Sequence, residues 1–129
     1  MGLDMYAFSV NPSNIEEYSD TDFKTAEGCE AKQIFYWRKF NALHRWMKDL
    51  YYAKGGTDKD FNCNAVVLTE QDLDALMEQS EKGLLKPLEG FFFGEQEVYP
   101  EDLETVSMFV AVSKTEMHFG RVVYYTSWW

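Results

Sequence analysis

The residues best equipped for chemistry crowd into one stretch, Tyr36-Trp37-Arg38-Lys39-Phe40-Asn41-Ala42-Leu43-His44-Arg45-Trp46-Met47. It holds two tryptophans, three cations, an amide and one of the two histidines of the chain. His44 could act as a general base if folding brought Asp4, Tyr6 or Asp102 beside it, since an imidazole titrates near neutrality. Nothing in the sequence pairs it with a nucleophile, so a histidine bonded to a neighbour at the edge of a core is the simpler expectation. Arg38, Lys39, Asn41 and Arg45 carry the donors to hold an anionic small molecule, and Trp37, Trp46 or Tyr124 the rings to stack on a base. One candidate is therefore a ligand pocket around Arg38, Asn41, His44 and Trp46, with Asp4, Tyr6 and Tyr124 contributed by the terminal segments. The plainer alternative is that these cations pair with the acids that dominate the surface.

A second constellation is acidic. Glu70, Asp74, Glu78 and Glu81 fall on one side of a predicted helix. Residues four apart rise about 6 Å along a helix, near the spacing of phosphates along one nucleic-acid strand. Such a stripe can imitate a phosphate backbone and occupy a basic groove, although every amphipathic helix has a solvent face of this kind. Phe91-Phe92-Phe93, bracketed by Gly90 and Gly94, is too short for a helix core. It reads as an internal plug or as an interface anchor centred on Phe92.

Other chemistries find no foothold. Gly55-Gly56 follows a helix rather than preceding one, so it is a helix stop and not a phosphate loop. No nucleophile elbow or Ser–His–Asp order appears. Cys29 and Cys63 are 34 residues apart, and His44 and His118 are not at ligand spacing, which argues against a zinc site. No cofactor is expected, and the balance leans away from an enzyme.

The elements that must position these residues follow from hydrophobic periodicity. Residues 3–10 alternate as a first strand with two largely apolar sides, ended by Asn11-Pro12-Ser13-Asn14. Residues 15–30 are an acidic, weakly patterned excursion, and 33–37 are extended. Phe40, Leu43, Met47 and Leu50 predict the buried face of a helix over 39–53, with Asn41 on another face and His44 and Trp46 near the border. Residues 65–68 read as a short strand. Thr69 caps a second helix with Leu73, Leu76 and Met77 inward and Gly83 as its stop. Pro100 opens a third, with Leu103, Val106 and Val110 buried. Residues 121–129 form a β-branched, aromatic last strand. The expected fold is α+β, a single domain over 1–129, with a small, mainly antiparallel sheet covered by about three helices and its terminal strands as neighbours.

At 129 residues, 46% apolar and 17% aromatic, the chain can build a core and is no disordered segment. The formal charge of −10 is unevenly spread. Residues 11–30 carry a net −5, residues 32–59 a net +5 and residues 69–104 a net −9. Such a chain should repel bulk nucleic acid yet suit a basic protein surface. No apolar run approaches the roughly 20 residues of a membrane span, and the start lacks the features of a signal peptide. Together with reduced thiols this predicts a cytoplasmic protein.

The segments MGLDMY, YWRKFNALHRW, GFFFG and YYTSWW together resemble a family of small proteins carried by bacteriophages and prophages. Members of that family start close to MGLDMY and carry a YWRKAN-like helix start followed by a histidine and a tryptophan. A GFFFG-like turn and an ending close to SSW complete the set. The match covers the first strand and nearly everything after residue 33, but not 11–32; Thr126 and the Trp128-Trp129 pair depart from the ending. The resemblance implies a viral accessory protein in the host cytoplasm and assigns no catalytic residue. The leading expectation is an inhibitor of a host defence complex, of anti-CRISPR or anti-restriction type. It would bind a host protein with a basic or nucleic-acid-binding surface through Glu70, Asp74, Glu78, Glu81 and Phe92, with a homodimer also possible. The alternative is a nucleotide or small-molecule binder using the Arg38–Trp46 pocket.

Overall fold

Alternation along the first strand, β1 (Asp4–Val10), organises the molecule: Met5, Ala7 and Ser9 are buried on one side, while Asp4, Tyr6 and Phe8 turn to the other. The computed structural model describes residues 2–28, 30–85 and 98–129. After a 3-10 turn (Pro12–Asn14), β2 (Ile15–Glu17) and β3 (Lys24–Thr25) form a two-stranded sheet. There follow β4 (Lys32–Arg38), α1 (Asn41–Ala53), β5 (Ala65–Leu68), α2 (Glu70–Glu81), α3 (Pro100–His118) and β6 (Val122–Trp128). The main sheet is antiparallel throughout, in the order β4-β1-β6-β5. The terminal strands are indeed neighbours, and the fold is α+β.

Local chemistry sets the helix boundaries. Lys39 adopts a left-handed conformation (φ 57°), turning the chain sharply between β4 and α1, and its N–H donates to the Leu3 carbonyl at 2.9 Å. The helix therefore starts at Asn41 rather than at 39, because a left-handed residue cannot be helical. Gly55 (φ 95°) ends α1 and Gly83 (φ 66°) ends α2, conformations that cost glycine nothing. Thr69 and Asp72 form a reciprocal capping box on α2. Pro100 occupies the first turn of α3, where its missing N–H leaves no donor unmet.

One hydrophobic cluster joins the inward side of the sheet to the helices, including Met5 and Tyr125 from strands, Leu43 and Met47 from α1, Leu73 from α2 and Phe109 from α3. The acidic excursion has a structural role. Asp20 and Asp22 exchange backbone hydrogen bonds with Val67 and Ala65 along the far edge of β5, at 2.8 and 3.0 Å. That edge is thereby closed to other chains. Among the described residues no helix is long and apolar enough to cross a membrane.

Candidate functional site

The side chains around α1 part company. Asn41, expected off the buried face, and His44, expected at its border, lie in the core at 2% and 1% exposure. The buried face of α1 is rotated from the expected one: it centres on Leu43, His44, Met47 and Tyr51, and Leu50 is only half-buried. The cause is tertiary. Phe61 packs its ring 5.1 Å from the imidazole, and the Tyr125 hydroxyl shares a 2.7 Å hydrogen bond with His44 Nδ1. Burial, aided by the positive charge of Lys48, pushes the His44 pKa down to about 3. The ring is therefore neutral at physiological pH. Burial also drives the Tyr125 phenol well up, so this pair has no proton to exchange with substrate near pH 7.

Trp46 sits instead in a shallow groove of about 160 Å³, lined also by Arg45, Asp49 and Gln79. Arg38 projects from the end of β4 on another face. The groove at Trp46 and the cavity at Arg38 are separate, and neither is lined by Asn41 or His44.

Asp4, Tyr6, Arg38 and Tyr124 share the side of the sheet turned away from the helices, with Asp4 and Arg38 at one end and Tyr124 at the other. Register aligns Tyr6 with Tyr36 and Phe8 with Tyr124 across neighbouring strands. The rings run in a row, Tyr36–Tyr6 at 5.4 Å, Tyr6–Phe8 at 5.9 Å and Phe8–Tyr124 at 5.6 Å. Phe23, from the excursion, closes the row edge-on against Tyr124 at 4.9 Å. Cross-strand aromatic pairs of this kind stabilise a sheet face, yet Tyr36 remains 45% and Trp128 62% exposed.

At the corner of this face Asp4 is in register with both Arg38 and Trp128. A cavity of about 350 Å³ opens there, lined by Gly2, Asp4, Arg38, Trp128 and Trp129. The Tyr36 hydroxyl donates to Asp4 Oδ1 at 2.6 Å, and Arg38 Nε lies 3.8 Å from the same oxygen. That bond to the carboxylate is the main reason the Tyr36 phenol titrates above its ordinary range. Trp129 is fixed as a wall: its backbone N–H and carbonyl bond Asn62, and its indole N–H donates to the Phe61 carbonyl at 3.0 Å. Tyr36, Trp128 and Trp129 escaped the sequence reading as site residues. The twofold strand period places Tyr36 and Arg38 on one side of β4, but only the register seats them beside Asp4 and Trp128.

The acidic stripe stands as expected on the solvent side of α2. Glu70, Asp74, Glu78 and Glu81 are all exposed, opposite buried Leu73 and Leu76. Lys82 pairs with Glu78 at 2.6 Å and holds its carboxyl below the usual range, and Lys114 of α3 pairs with Asp74. Phe92 and the GFFFG segment lie outside the described residues. Among the described residues no group of three His, Cys, Asp or Glu side chains is placed to hold a metal ion. No family model, curated protein or solved structure matches the chain.

Proposed function

We propose that the chain is a phage-encoded binding protein that inhibits a host defence complex, of anti-restriction or anti-CRISPR type, by occupying a basic surface of it. The observation that carries this reading is the α2 stripe. Four exposed carboxylates lie along one side of a capped helix, spanning about 16 Å at the helical rise. The lysines paired with Asp74 and Glu78 are themselves at the surface, and exposed ion pairs are individually weak. A more basic partner can displace them. The phage origin rests on the sequence resemblance. Binding rather than catalysis is supported by His44, which is uncharged and enclosed in the core.

The test is the reversal of Glu70, Asp74 and Glu78 to lysine. Solvent-facing changes of this kind alter stability little, by about 0.5 kcal/mol each, so the fold should survive. Plating of a restricted phage on a defended host that expresses the protein reads inhibition directly. The parent should restore plating and the triple reversal should not. Association with the captured target should fall steeply with added salt. Equal protection by the reversed variant, or binding indifferent to salt, would sink the reading.

A further inference from the structure

We infer that the corner of the outer sheet face, between Asp4, Arg38, Trp128 and Trp129, is a binding site for a purine base, taken up as a nucleoside monophosphate. The inference stands on a different surface from α2 and does not depend on what that helix binds. Its cavity, about 350 Å³, falls within the range of small-ligand sites. The lining combines two indoles with one guanidinium and one carboxylate. Trp128 is 62% exposed although it closes a strand of the central sheet. An exposed indole offers a flat face on which any base can stack, and a two-ring purine covers more of it than a pyrimidine.

The polar pair supplies an edge. Arg38 Nε and Asp4 Oδ1 lie 3.8 Å apart, so guanidinium N–H donors sit beside a carboxylate acceptor. Purines present the complement. Guanine sets its O6 and N7 acceptors next to N1–H and N2–H donors, and adenine sets N7 next to its N6 amino group. Asp4 is held in place for this by the Tyr36 hydroxyl at 2.6 Å, which leaves its second oxygen for a ligand donor. The cations stand on the same side. A β-carbon on Gly2 would come within 3.2 Å of both Arg38 Nη2 and Lys39 Cε, so the lack of a side chain at Gly2 keeps the approach to both open. Lys39, exposed at the turn, is the group placed for the phosphate in a chain that is otherwise acidic.

A cationic occupant, such as an arginine or methylated-lysine side chain caged by the indoles, is the competing chemistry. Arg38 disfavours it, because the guanidinium already occupies the cation's place beside Asp4. The experiment is isothermal calorimetry of the full chain with GMP, AMP and CMP, and with a trimethyllysine peptide. GMP or AMP should bind with Kd below about 1 mM, and CMP more weakly. Trp128→Ala and Arg38→Met, both at exposed positions, should each weaken purine binding about tenfold without moving the melting temperature. Lys39→Gln should erase any advantage of the monophosphate over the free nucleoside. The α2 triple reversal should bind as the parent does, which separates this outcome from that of the inhibitor reading. No heat with either purine overturns the inference. So does purine binding that survives both Trp128→Ala and Arg38→Met, or preference for the trimethyllysine peptide.

Discussion

A neutral histidine in a core makes stability depend on pH in a direction that can be worked out. The His44 pKa is about 3 in the folded chain, against about 6.5 unfolded. Between those values the unfolded chain binds the extra proton, so stability rises with pH across the window and is lost as pH falls below 6.5. From pH 7.5 to pH 5 the loss should be about 2 kcal/mol. Urea unfolding at the two pH values measures it. His44→Gln removes the titrating group and should flatten that slope; an unchanged slope would show that the ring is not buried neutral. The native-state pKa of Glu116 is also depressed, chiefly by the Ser9 hydroxyl at 2.6 Å, with Lys32 and Arg121 assisting. Its contribution to stability is present above the ordinary carboxylate pKa and fades below it, so the two losses overlap only in the lower part of the His44 window and not between pH 7.5 and pH 5. The Glu116 role could not be read from the chain, and for His44 only the bond to a neighbour could, not its full enclosure. Ser9 and Glu116 are 107 positions apart, and His44 looked like a border residue because periodicity ranks imidazole as polar.

Single elements show where local rules hold. In α1, Leu43 is fully buried and Leu50 only half so. Leu43→Ala should cost about 2–5 kcal/mol, whereas Leu50→Ala should cost clearly less, a contrast that denaturant midpoints would resolve. Equal costs would return α1 to the phase expected from sequence, in which both leucines share one face. In α2 the capping box is a second handle. Removing the Thr69 hydroxyl, which accepts from the Asp72 N–H at 3.2 Å, should destabilise by about 1 kcal/mol. The caps and stops of these helices were legible because each acts within a turn of chain. The tilt of α1 about its own axis was not, because it answers to Phe61 and Tyr125 from elsewhere.

The whole molecule carries a charge of −10, and self-repulsion of that size should be felt. Raising salt from about 0.02 M to about 0.3 M shortens the screening length from roughly 20 Å to under 10 Å. The melting temperature should rise over that range and then level off. A fall instead would mean that exposed ion pairs such as Lys82–Glu78 outweigh the repulsion. Within the acidic excursion the charge persists, but one carboxylate is held by neutral donors. Asp22 is absorbed by the Tyr51 hydroxyl at 2.5 Å and by Asn64 at 3.1 Å, inside the loop it anchors.

By itself the sequence determined the fold class, the helix ends at Thr69, Gly83 and Pro100, and the exposed carboxylates of α2. These depend on periodicity and on groups a few residues apart, so the chain encodes them locally. Only the tertiary structure decided that His44 is enclosed, that residues 20–22 seal the edge of β5, and that Asp4, Arg38, Trp128 and Trp129 share one corner. A strand's twofold period says which residues face the same side but not which residues stand beside them. That second fact is fixed by pairing β1 to a strand more than a hundred residues away, a contact that no local pattern records.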